Sequence, residues 1–232
     1  LTIDGTWLSG QMATVATPVT DSPSVTRLRG FLQAWAVGFC EVRADVKSPT
    51  VTWPRRGLLD DESSSFLRAL DSGFVIVDGA GFVVLPTVRA KMPAGRYALL
   101  SKSGAGVSVN LEYLIQIGAT AELVLDHGWS PADLDFERGE FDAVGIGPGD
   151  QTMLVMEAKA RVSGPDSLEK LVTSWMSMAE DPGSNMNNNV GRKYRELQRL
   201  CRSGRVVVWL VAEGCLVSSL RNAPRDWMNR VR

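Results

Sequence analysis

EFDAVGIGPGDQTMLVMEAKAR, running from Glu140 to Arg161, sets two apolar, strand-like runs on either side of a turn at Gly147, Pro148, Gly149 and Asp150. Three charges lie inside the runs: Asp142 in the first, Glu157 and Lys159 in the second. Residues i and i+2 of a strand point to the same face, so Glu157 and Lys159 project side by side. A hairpin through the turn brings Asp142 alongside them. Charges in a buried strand are costly unless paired or bound to an ion. Two carboxylates and an ammonium meeting there have the make-up of a divalent-metal site for phosphodiester chemistry.

The rest of the chain bounds this reading. Its 232 residues, 44% hydrophobic and 22% charged, suit a soluble protein with one generous domain or a core plus an appendage. No run approaches the roughly 18 apolar residues of a membrane span. The first residues, Leu1 to Trp7, lack a basic start followed by an apolar stretch, so no secretory signal is expected. The chain does not begin with Met, which leaves room for a segment upstream. Cys40, Cys201 and Cys215 are odd in number and far apart, pointing to reduced thiols in a cytoplasmic protein. His127 is the only histidine, which disfavours a His-rich metal site or a Ser-His-Asp triad.

The formal charge of −1 hides an asymmetry. From Arg192 onward ten basic residues face three acidic ones, a local +7, so the first 191 residues carry −8. A basic end on an acidic chain suggests a polyanion partner, although a solvated Arg-rich helix has the same composition.

Residues 1 to 23 are rich in Thr, Ser and Pro, with one short strand expected at Thr2 to Leu8. Leu28, Phe31, Leu32, Trp35 and Phe39 recur at helical spacing over Val25 to Val42, with Ser24 as the cap. Lys47 to Arg56 reads as extended. A second helix is expected from Asp60 to Ser72, its early acids suiting the positive end of the dipole. Phe74 to Val77 and Phe82 to Leu85, around Asp78 to Gly81, form a hairpin signal. Helices followed by a hairpin allow either a winged-helix-like module or an extension packed on the main domain.

Lys102 to Gly106 reads as a small-residue linker, which divides the chain into an N-terminal helix-and-hairpin region, 1–105, and a second domain, 106–232. In the latter, Asn110 caps a helix to His127. The two strands around the opening stretch follow, then a helix over Ser167 to Ala179, a polar loop from Asp181 to Asn189, a helix over Val190 to Cys201 and a buried strand from Arg205 to Ala212. The order is that of an α/β protein with a mixed sheet.

Residues 107 to 214 resemble the PD-(D/E)XK, or restriction-endonuclease-like, nuclease superfamily, in the general manner of its resolvase-like and Mrr-like members. The resemblance rests on Glu112 in the first turn of a helix, Asp142 on a strand, and Glu157, Ala158 and Lys159 on the next. Phe141 stands where the eponymous Pro would, a departure that many members share. The resemblance implies a restriction-endonuclease-like core, a mixed β-sheet flanked by helices, and Mg²⁺-dependent cleavage of DNA or, less often, RNA. It implies Asp142, Glu157 and the carbonyl of Ala158 as metal ligands, with Mn²⁺ as a substitute ion.

The residue types suit that chemistry. Mg²⁺ takes oxygen ligands, usually one or two carboxylates with waters and phosphate. Lys159 can orient a water and stabilise charge developing on phosphate oxygens. Glu112 is an auxiliary acid, with Glu122 as its rival. On the helix after the polar loop, Arg192, Lys193, Arg195, Arg199 and Arg202 are expected to contact phosphates, and Lys193 and Tyr194 to approach the cleft. An intrahelical pair such as Arg192 with Glu196 is the plainer alternative. The expectation is a cytoplasmic DNA nuclease, with a homodimer as one arrangement for double-strand cutting. A catalytically inactive nucleic-acid-binding or regulatory protein on the same fold is the second reading, and an interaction domain without a nucleic-acid role the third.

Overall fold

The computed structural model describes residues 21–79, 81–85, 89–90, 95–137, 139–181, 187–212 and 215–221, with backbone alone at 89–90 and 215–221. The strand expected at Thr2 to Leu8 lies outside them, as do residues 182–186 of the polar loop.

Local chemistry accounts for where the helices start. Helix α1 spans Pro23–Val42, and its cap is Ser22, whose hydroxyl accepts from the Val25 N–H at 3.2 Å. The expectation of Ser24 is corrected here. Pro23 has no N–H and a fixed φ, so it fits the first helical position and moves the cap ahead of it. Leu28, Leu32, Ala36 and Phe39 form the buried stripe. After a short strand β1, Val51–Thr52, helix α2 spans Asp60–Asp71. Its first turn carries Asp60, Asp61 and Glu62.

Short strands follow: β2 (Ile76–Val77), β3 (Phe82–Val84), β4 (Arg89–Ala90), β5 (Arg96–Ala98), β6 (Leu100–Ser103) and β7 (Gly106–Val109). The expected hairpin is present as β2–β3, and β5 extends it to three antiparallel strands. The stretch read as a linker is instead the turn of the β6–β7 hairpin, with Gly104 at φ +58°. Small residues serve a tight turn as well as they serve a linker. β1 joins β7 in parallel.

Helix α3 (Leu111–Leu125), capped by Asn110, is followed by β8 (Leu134–Phe136), β9 (Ala143–Ile146) and β10 (Thr152–Lys159). Then come α4 (Leu168–Glu180), capped by Ser167, α5 (Asn189–Ser203), capped by Asn188, β11 (Val207–Ala212) and β12 (Cys215–Arg221). Six strands make the largest sheet, in the order β12-β11-β10-β9-β8-β4. β10 runs antiparallel to β9 and parallel to β11, so the protein is α/β with a mixed sheet.

Strand period divides the core between the two faces of this sheet. Leu154, Met156 and Ala158 of β10, with Trp209 and Val211 of β11, pack in one apolar cluster with residues of α1, α2 and α3. Val155, Val208, Leu210 and Ala212 join Leu168, Leu171, Trp175, Tyr194 and Leu200 of α4 and α5 in a second. Buried residues from both sides of position 105 share the first cluster. α2 and α3 approach closely there, for a Cβ on Gly118 would lie 2.9 Å from Cβ of Ser65. Among the described residues, no helix is long and apolar enough to cross a membrane.

Candidate active site

The β9–β10 register pairs Val144 with Val155 and Ala143 with Met156. Continued by one residue, it sets Asp142 opposite Glu157. Directly opposed residues have Cβ atoms about 4.5–5.5 Å apart. Asp142 lies just before β9, yet its N–H still donates to the Met156 carbonyl at 3.1 Å. Its carboxylate oxygen Oδ2 accepts from the Ala158 N–H at 2.7 Å. Gln116 of α3 donates to the Asp142 carbonyl at 2.9 Å, and the Glu137 N–H does so at 2.7 Å. Backbone and side chain of Asp142 are both anchored.

Glu157 lies toward the end of β10, with only 1% of its side chain exposed. Lys159 Nζ reaches its Oε1 at 3.0 Å and Oε1 of Glu112 at 3.1 Å. From α5 on the other side, Lys193 Nζ donates to both oxygens of Glu157 and lies 3.9 Å from Oδ1 of Asp142. Three carboxylates and two ammoniums therefore converge at the end of β10, between the N-terminal ends of α3 and α5. Glu112 and Lys159 join Asp142 and Glu157 in this cluster. Glu122 does not: it is ten residues, or about 15 Å, along α3, where its carboxylate lies 3.6 Å from Nε2 of His127.

The electrostatics follow from burial and crowding. Desolvation, followed by the charge of Glu157, pushes the Asp142 carboxyl up to about 6, against Lys193, the Ala158 N–H and Lys159. Burial alone would lower the Lys159 ammonium, but the charges of Glu157, Glu112 and Asp142 outweigh it and hold its pKa above the usual lysine value.

Among the described residues, no group of three or more His, Cys, Asp and Glu side chains is spaced to hold a metal. The donor set is two carboxylates and nearby backbone, and Mg²⁺ is ordinarily held by one or two carboxylates with waters and phosphate. Asp142 and Glu157 could take that role, since a cation between them would offset the Glu157 charge that adds to burial in raising the Asp142 carboxyl; the Lys193 ammonium now holds both Glu157 oxygens there. Ala158, expected to offer its carbonyl, uses its N–H to hold Asp142.

The expected phosphate contacts divide. Arg192, Arg195, Arg199 and Arg202 are exposed on α5. Arg192 lies 3.4 Å from Glu140, and Arg199 pairs with Glu196, so the intrahelical pair uses Arg199 in place of Arg192. Lys193 is buried inside the site. Sequence reasoning brought Lys193 only as far as the cleft and missed Gln116. The one available signal for Gln116 was its position one turn after Glu112, on the same face of α3.

Beside the cluster lies an open cleft of about 430 Å³, walled by Thr52, Trp53, Ser108, Glu112, Ala160 and Arg161 among others. No protein-family model, curated protein or solved structure matches the chain.

Proposed function

We propose that the chain is a metal-dependent nuclease of the PD-(D/E)XK, restriction-endonuclease-like type that hydrolyses phosphodiester bonds, with DNA as its substrate. The observation that carries the reading is the convergence of Asp142, Glu157, Lys159 and Glu112 at the end of one strand. A mixed sheet with helices packed on both faces supports it further.

Asp142 and Glu157 would hold Mg²⁺, or Mn²⁺ in its place, with the Ala158 carbonyl as a third donor. The bound ion would polarise the scissile phosphate and lower the pKa of a water. The chain's own residues supply the rest. The Ala158 N–H fixes the Asp142 carboxylate. Lys159, charged and steered by Glu157 and Glu112, orients the attacking water and stabilises charge on phosphate oxygens. Arg192, Arg195, Arg199 and Arg202 give phosphate contacts that position a strand without reading its sequence.

Incubation with plasmid, linear DNA and RNA in Mg²⁺, Mn²⁺ or EDTA tests this reading. Metal-dependent cutting, reduced at least about 100-fold in Asp142→Asn and Lys159→Ala, is the expected result. No cutting of any substrate with either ion would sink it. A second reading, a nucleic-acid-binding or regulatory protein without cleavage, is favoured by one observation: both Glu157 oxygens are already engaged by Lys193. Salt-dependent DNA binding without cutting would select it.

A further inference from the structure

The cleft beside the catalytic cluster has a composition that the cleavage chemistry does not need. Its inner wall is Glu112, the partner of Lys159, and Ala160, the residue that follows Lys159. Its other walls come from the N-terminal half of the chain: Thr52, Trp53 and Pro54 at β1, and Ser101 and Ser108 on β6 and β7. Arg161 closes the rim and is exposed.

Trp53 is half-buried, and the guanidinium of Arg29 lies over its ring, 5.2 Å from the centroid, which helps to hold the indole plane. Arg55, two residues on, is exposed. Among the described residues, Glu112 is the one carboxylate in the walls, and Lys159 already pairs with it. Hydroxyls, the Asn110 amide, an indole and a guanidinium are groups that can receive a sugar, a phosphate and a flat base. An aromatic ring for the base and a cation for the phosphate are parts of the sites that hold unstacked single strands. A volume of about 430 Å³ takes roughly one or two nucleotides, and a base stacks on an indole only when it has left the duplex stack.

Resting on the nuclease reading above, we propose that this cleft is a subsite for single-stranded nucleic acid. Trp53 stacks on a base and Arg161 meets the adjacent phosphate, which delivers the next phosphodiester to Lys159 and Glu112. The substrate class is then a single strand, or a duplex with a frayed or flapped end.

Fluorescence anisotropy with a labelled oligothymidylate of about 12 nucleotides, in EDTA, tests the subsite directly. A duplex of the same length serves as the control. Trp53→Ala is expected to weaken single-strand binding roughly 5- to 100-fold, and Trp53→Phe much less. Arg161→Glu is expected to weaken it and to flatten the salt dependence by about one phosphate contact. Arg161 is exposed, so Arg161→Glu carries the test even if Trp53→Ala loses its fold. Wild-type affinity with an unchanged salt slope in Arg161→Glu, or wild-type affinity in a folded Trp53→Ala, overturns the subsite and leaves the nuclease reading intact. So does an equal loss on duplex and single strand. A wild-type protein that neither binds nor cuts any nucleic acid overturns both.

Discussion

The ammonium of Lys193, on α5, donates to both carboxylate oxygens of Glu157, on the central strand β10. Both side chains are buried, so the pair joins the helix to the sheet at the point where the charged cluster forms. Removing one partner of a buried pair costs about 3–5 kcal/mol. Lys159 still reaches Glu157 when Lys193 is gone, which tempers the loss. Lys193→Met is therefore expected to lower stability by about 2–3 kcal/mol in EDTA. Millimolar Mg²⁺ should recover part of this. Urea denaturation with and without the ion reads both, and an unmoved midpoint in EDTA would show that the pair is not formed.

Asp142 links stability to pH in a stated direction. Its carboxyl is raised from 3.8 to about 6 in the folded chain. A raised carboxyl binds its proton more tightly when folded, so its contribution is fully present below about pH 4 and is lost as pH rises through 6. The two-unit difference corresponds to about 3 kcal/mol at most. Metal-free protein should thus show a stability component that falls between pH 4 and pH 7. Asp142→Asn should abolish that component. Denaturation midpoints across this range, compared between the two proteins, decide the matter.

Glu62 is buried at the start of α2, where it accepts from the Leu59 N–H at 2.8 Å and pairs with Arg56. Arg56 also reaches the Ala160 carbonyl at 3.4 Å, next to Lys159. Glu62→Ala removes a helix-end acceptor and leaves a half-buried guanidinium without this carboxylate. The expected loss is about 2–4 kcal/mol, read by thermal and urea unfolding. A change under about 0.5 kcal/mol would mean that the pair is only a surface contact.

Gly118 tests whether the N-terminal helices and the site rest on one core. Its hydrogen faces Ser65 and the Phe66 backbone at distances that leave no room for a branched side chain. Gly118→Val is expected to cost about 1–3 kcal/mol by overpacking. The protein should still melt in a single transition, since α2 and α3 share a cluster with β10. Two separate transitions, with only one displaced, would show independent units.

Much of the cluster was legible before any fold was known. The spacing of Glu157 and Lys159 follows from a strand's two-residue period, and Asp142 follows from the turn at Gly147 to Asp150. Asn110 announced its helix because capping is a local hydrogen bond. The Ser22 cap was misplaced by two positions, since Pro23 shifts the helix start and apolar period alone does not show it. β1 and β4 have two residues each, too few for any period to register. β8 has only three.

What the chain determined by itself was local: which side chains share a strand face, where helices begin, and which helix faces are apolar. Tertiary structure decided that Lys193 leaves the expected phosphate-contacting surface for the interior, that Glu122 lies apart from the cluster, and that the cleft is walled by β1, β6 and β7. The physical reason is sequence separation. Lys193 and Glu157 are 36 residues apart and Lys159 and Glu112 are 47 apart. Helix and strand periods act over a few residues, so only the packing of α3 and α5 against opposite faces of one sheet brings these charges together.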